Sequence, residues 1–190
     1  MTLQKINTRN TVLILMIVAA GAFRLVSYKY PYILSNFTPV GAIALFGGAY
    51  FTDKWKAYLV PLLTLFVSDI LLNRLYSGTW EIMDRSSIMV YVCFAVIVFV
   101  GSLIKKANVL NVFLASLVAV VIHWLLTDIP FYGTLYPHTF SGYVQSLTAA
   151  IPFEKNMLFG DIVFCAILFG GFELAKSKYT FLRTNREVAI

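Results

Sequence analysis

The stretch YILSNFTPVGAIALFGGAY, residues 32–50, sets a polar entry against an apolar run rich in small residues. Ser35-Asn36 and Thr38-Pro39 stand directly before the run, and Gly47-Gly48 stands near its end. It is either a helix start at a membrane surface or a broken helix that offers its backbone to a ligand. Thr38 suits an N-cap, and Pro39 suits the first helical turn, where its missing N–H costs nothing. The pair therefore predicts a helix start without a kink. A helix over Pro39–Thr52 measures about 21 Å at 1.5 Å per residue, short against a hydrocarbon core of about 30 Å. Ser35, Asn36 and Phe37 are thus expected below the outer surface, with the helix N-terminus facing a cavity. Gly47-Gly48 falls near the inner end, where close helix packing explains it.

The rest of the chain extends this reading. Of 190 residues, 59% are hydrophobic and only 13% charged, about half the roughly 25% of a soluble domain. Five further apolar runs cover about Thr11–Ser27, Lys56–Leu75, Ser86–Ile104, Val109–Thr127 and Met157–Ala175. None alternates with period two over a strand's length, which disfavours a β-barrel. Helices satisfy their backbone within each span. The expected fold is all-α: a polytopic membrane helical bundle of about six transmembrane helices, one integral membrane domain over residues 1–190. The first run superficially resembles a secretory signal, but further hydrophobic spans follow and it reads as a retained helix.

The net charge of +6 would suggest nucleic acid in a soluble protein; here it follows the membrane. Lys5, Arg9, Lys54, Lys56, Lys105, Lys106, Lys176, Lys178, Arg183 and Arg186 gather on one side, ten of the fifteen basic residues. Arg24, Lys29, Arg74, Arg85 and Lys155 fall on the other. The bias predicts both termini in the cytoplasm, in a multi-pass protein of the inner (plasma) membrane. Cys93 and Cys165 lie in apolar runs without ligand spacing and read as packed thiols.

Ionisable groups inside spans are costly and face the bundle or a wet cavity. Arg24, Asp69, His123 and Asp161 all fall in the outer half, on different spans, so one outward cavity could collect them. Each also has a plainer reading. Arg24 could snorkel to headgroups, His123 could be a hydrogen-bonded core histidine, and Asp161 could complement a helix dipole. Asp69 could form a salt bridge with Arg24 or Arg85. The outer aromatics Tyr28, Tyr30, Tyr32, Phe37, Trp80, Tyr91, Phe131, Tyr132, Tyr136 and Tyr143 suit an interfacial belt or the wall of a ring-binding pocket. Small residues at Ala19–Ala22, Gly41-Ala42 with Ala44, Gly47–Ala49, and Ala115 with Ala119 give thin helix faces. These suit internal packing or the docking of a partner subunit. Between the last two runs lies Asp128–Asn156, a long segment with a short helix opening at Ser141, of a length that suits a lid or binding loop.

No P-loop, HExxH or GxSxG motif is present, and the two histidines come with no carboxylate-rich cluster. A metal, a cofactor and an enzyme activity are therefore not expected.

Two segments carry a family resemblance. NFTPVGAIALFGGAYF (36–51) followed by VPLLTLFVSDILL (60–72) resembles an uncharacterised bacterial family of small membrane proteins classed with transport. LYPHTFSGYVQSLTAAIPFEKNMLFGDIVFCAILFGGFEL (135–174) is similar to the same family in its YP-x-T, AAIPF, N-x-x-x-GD and LFG elements. The region before YPHT departs from it: a TN-type polar pair is expected where HWLLTDIPFYGTLYP stands. By size and topology the family in turn resembles the substrate-binding S components of energy-coupling factor transporters. That resemblance implies six helices, capture of a vitamin-like micronutrient from outside under loops, and a transmembrane coupling subunit with ATPases as partner.

The expected function is then uptake of a small micronutrient, with cobalamin or thiamine as examples of the class. Arg24, Asn36, Thr38, Asp69, Tyr91 and Asp161 are the candidate substrate-binding residues, with Phe131–Thr139 as a lid. Partners are the small-molecule substrate and the lipid bilayer, with no nucleic acid. A rival from another class stays open: a non-transporting scaffold or assembly subunit that binds a partner through small-residue faces. An intramembrane enzyme built on an Asp69–His123 acid–base pair is a third.

Overall fold

Six helices account for most of the chain in the computed structural model, which describes residues 7–31, 34–80, 82, 85–130 and 135–184. They are α1 (Thr8–Lys29), α2 (Val40–Tyr50), α3 (Lys54–Ser77), α4 (Arg85–Ser102), α5 (Val109–Thr127) and α6 (Phe140–Lys178), with a 3-10 turn at Thr180–Leu182. All regular structure among the described residues is helical. The protein is an all-α helical bundle. Lys5, Tyr32, Phe131, Tyr132, Arg186, the first part of the expected lid (131–134) and the side chain of Arg85 lie outside the described residues.

The outside of the bundle is apolar. On α3, Leu59, Leu63, Val67, Leu71 and Leu75 recur every fourth residue and are all exposed. On α5, Leu110, Leu114, Val118, Val121 and Leu125 recur every third or fourth residue and are likewise exposed. A soluble surface does not carry stripes of this extent; lipid accepts them. α1, α3, α5 and α6 are long and apolar enough to cross a membrane.

α2 behaves differently. Ten of its eleven residues are buried, and it packs against α1, α3, α4, α5 and α6. At about 16 Å it is too short to cross alone; it is the core around which the other helices stand. Its glycines permit this. A Cβ on Gly48 would strike the Val98 carbonyl oxygen, and one on Gly101 would strike the Leu45 backbone. The α2 and α4 backbones therefore touch directly. Gly47 packs on Pro61 of α3, and Gly21 of α1 on Thr64. Gly21, Gly41, Gly47, Gly48, Ala115 and Ala119 are thus occupied inside the bundle.

Two expectations need correction. Thr38 is not the N-cap of the second helix: α2 begins at Val40, with Pro39 at the cap position and no local side-chain cap. The segment 140–156 is not a loop with a short helix. Thr139 Oγ1 accepts from the Gly142 N–H at 3.1 Å, and helix runs unbroken from Phe140 to Lys178, with a π-helical turn at Ala166–Gly170. Pro152 lies inside this helix. At about 58 Å it is nearly twice the hydrocarbon thickness, so its first half reaches beyond the core or runs obliquely.

Candidate functional site

The polar centre of the bundle starts from Arg24, a little over a turn before the end of α1. Its Nη1 donates to Asp69 Oδ1 of α3 at 2.7 Å, to the Ser68 hydroxyl, and at 3.4 Å to the Leu65 carbonyl. Tyr91 of α4 donates its hydroxyl to the other oxygen, Asp69 Oδ2, at 2.7 Å. Three helices are tied through one carboxylate. Arg24 and Asp69 are only 15% and 23% exposed, so Arg24 turns into the bundle and does not snorkel. Its Nε is buried and meets no acceptor among the described residues. Asp69 takes its two partners from Arg24 and Tyr91, and His123 pairs elsewhere, so the Asp69–His123 acid–base arrangement is not formed.

Arg24 also borders a cleft of about 230 Å³, at the end of the bundle that the charge pattern assigns to the outside. Its other walls are Ser27 and Tyr28 of α1, Leu34, Ser35, Asn36 and Thr38 of the connecting loop, and Leu72 and Tyr76 of α3. Tyr28 and Tyr76 meet edge to face at 4.8 Å. The loop is held by its own turn, with the Phe37 N–H on the Leu34 carbonyl at 3.1 Å. Two side chains fix it from outside. The Ser27 hydroxyl donates to the Phe37 carbonyl at 3.2 Å, and Asn156 Nδ2 of α6 donates to the Ser35 carbonyl at 2.9 Å. Asn36 sits in the left-handed region at φ 56°, a conformation that asparagine tolerates better than other side chains.

The cleft thus brings Arg24, Asn36 and Thr38 together, with Asp69 and Tyr91 behind Arg24. Asp161 has a different place. It is 0% exposed, and its Oδ1 accepts from the Ala42 N–H at 3.0 Å. The carboxylate lies at the N-terminus of α2, close enough to Gly41 that a Cβ there would collide with it. The first N–H groups of any helix lack intrahelical partners, and α2 has no local side-chain cap. Asp161 of α6 supplies that cap from another helix. It does not reach the cleft.

Four contributors escape the sequence reading. Tyr76, Leu72 and Ser68 follow α3's period of three to four residues around Asp69, a signal that was available. Glu154 is the fourth: it accepts from or donates to His123 Nδ1 at 3.0 Å through Oε1. Reading 128–156 as a loop hid it.

Along residues 4–184 the chain matches a family of unknown function, DUF6580, and it belongs to that family. No curated protein and no solved structure matches it.

Proposed function

We propose that this member of the DUF6580 family captures a small micronutrient at the outer face of the inner (plasma) membrane and takes it into the cell, in the manner of an S component, with both termini cytoplasmic. One observation carries the reading: Arg24 borders an outward cleft while its buried Nε lacks an acceptor. A ligand bearing a carboxylate or carbonyl oxygen would meet the Arg24 side chain there, and a hydrogen bond to a charged group contributes about 1.5–3 kcal/mol.

The surroundings suit binding. Asp69, Ser68 and Tyr91 hold the guanidinium in one orientation before any ligand arrives, which lowers the ordering cost of association. Asn36, Thr38 and Ser35 offer polar atoms along one wall, and Tyr28 and Tyr76 offer ring faces and edges. A volume of about 230 Å³ lies just under the usual range of about 300–1,000 Å³ for ligand pockets. The cargo is therefore of the size of thiamine's single rings, well below cobalamin. Binding and passage, not a reaction, is the role these groups suit. Energy would come from an ion gradient or from ATPase subunits joined through a transmembrane coupling protein.

The test is to purify the protein from its native membrane and identify co-purified small molecules by mass spectrometry. An acceptor-bearing ligand that is lost in Arg24→Gln is expected. The loss should be at least about tenfold, since hydrogen bonds to charged groups contribute about 1.5–3 kcal/mol. If nothing co-purifies and deletion causes no uptake defect across a vitamin panel, the reading is wrong.

A further inference from the structure

The cleft leaves a second set of buried ionisable groups unused. Glu154 of α6 is 6% exposed, deep against α5. Its Oε1 meets His123 Nδ1 at 3.0 Å, and its Oε2 is buried without a partner among the described residues. The His123 ring packs against Phe94 of α4 at 5.8 Å. Thr127 donates its hydroxyl to the His123 carbonyl at 2.8 Å and also lies 3.5 Å from Nδ1, so Glu154 at 3.0 Å is the nearer partner of that nitrogen. No group of three or more His, Cys, Asp or Glu suited to a metal occurs among the described residues. Neither the outer cleft nor the groove between α5 and α6 near Ser116 and Cys165 is lined by Glu154. The pair itself, one histidine and one carboxylate in contact, is the arrangement that a proton requires.

We propose that His123 and Glu154 form a buried proton-binding site, loaded from the outer end of the bundle and taking up one proton as a unit. Charge counting leads there. With Nδ1–H donating to Oε1, His123 is neutral and Glu154 carries a full negative charge, one oxygen of it unmet. An uncompensated buried charge is expensive. One further proton, placed on His123 Nε2 or on Oε2, makes the pair neutral overall and breaks no existing bond. Removing it restores the charge. The site therefore has two states that differ by one proton.

The neighbours agree. Three further titratable groups among the described residues feel the Glu154 charge: Cys93 from α4, Asp128 at the end of α5, and Asp161 two turns along α6. None of the three supplies a positive charge that could stand in for the proton. Asp128 follows α5 directly, beyond the span and about one turn from His123. Burial, and next the Glu154 charge, push its carboxyl up to about 6, against the opposing pull of His123. An acid of raised pKa thus stands at the end of α5, within electrostatic reach of both members of the pair. The site rests on this geometry and not on the uptake reading; where uptake holds, the proton supplies its ion gradient.

Infrared difference spectroscopy on protein reconstituted in lipid tests this without a substrate. The buffer is switched from about pH 8 to about pH 5, the range over which histidine changes charge. The wild type should gain a carboxyl or imidazolium band that both E154Q and H123N lack. All three proteins carry H138N, which removes the chain's other histidine, and D128N, which removes the carboxyl at about 6 that would otherwise add its own band. Thermal melting of E154Q and H123N checks that each is folded. Two results overturn the proposal. If E154Q keeps the wild-type change, His123 titrates alone. If the wild-type difference spectrum matches those of E154Q and H123N, the pair is a permanent structural ion pair.

Discussion

Replacing Asp161 with alanine tests whether that carboxylate is a structural cap or part of the ligand site. Asp161 is fully buried, and its one hydrogen bond within the described structure closes the N-terminus of the central helix. Removing it leaves the Ala42 N–H buried without an acceptor. Loss of a cap costs about 0.5–2 kcal/mol and an orphaned buried donor about 1–3, with some overlap, giving about 2–4 kcal/mol. For a chain of this length each kcal/mol moves the melting temperature by about 2–4 °C, so a fall of roughly 5–15 °C is expected. Asp161→Asn keeps an oxygen for Ala42 and should cost about 0.5–1.5 kcal/mol. The assay is built in: Cys93 and Cys165 are free and buried, so a thiol-reactive fluorophore reports unfolding in detergent. The reasoning fails if D161A melts within about 2 °C of wild type, below the shift expected from even 1 kcal/mol. It also fails if D161N melts normally but loses a ligand that the wild type retains, since Asp161 would then touch the cargo.

Three further perturbations follow from the same geometry. Gly48→Ala places a methyl against the Val98 carbonyl and should cost about 1–3 kcal/mol by overpacking; Gly170→Ala meets open space and should gain up to about 1 kcal/mol of helix propensity. The two melting shifts should have opposite signs. Asn36→Gly should keep stability, because glycine accepts φ 56°, while weakening ligand retention; Asn36→Ala should weaken both, with about 1–2 kcal/mol of backbone strain. Asp69→Asn should destabilise by about 1–3 kcal/mol, less than the loss of a fully buried pair because both partners are partly exposed. Tyr91→Phe removes one hydrogen bond and should cost about 1–2 kcal/mol. Ligand co-purification should fall further in D69N than in Y91F, because only D69N frees the Arg24 guanidinium.

Helix existence was legible from the sequence because apolar length and the Thr-Pro start are local signals. So was the association of Arg24, Asn36, Thr38, Asp69 and Tyr91, since buried polar groups in lipid have few places to go. Three features were not. The transverse cap of α2 by Asp161 depends on which helix lies over Gly41, and no local pattern encodes that. Thr38-Pro39 fits a self-capped helix so well that it conceals the true cap. The helix through 140–156 was hidden by Pro152 and by the charged pair Glu154-Lys155, which read as loop. Yet its buried residues, Gly142, Ser146, Ala150, Glu154, Met157 and Asp161, keep one spacing of three to four straight through the proline. That period, followed across Pro152, would have placed Glu154 in the bundle and opposite His123.

The same helix joins the two sites physically. Residues two apart on a helix point about 200° away from each other, so Glu154 can face α5 while Asn156 faces the cleft loop. Asn156 holds the Ser35 carbonyl, Gly160 lets Thr38 approach, and Asp161 holds the start of α2. A change of charge at Glu154 thus acts on a segment that touches the cleft loop at Ser35 and Thr38 and the start of α2 at Ala42. α2 has little room to follow, because Gly48 rests directly on the α4 backbone and Gly47 on Pro61 of α3. The 34–39 loop, where Asn36 occupies a left-handed conformation, is held by the same helix that carries Glu154. A proton taken up at Glu154 and a cargo held in the cleft would therefore act on one stretch of α6.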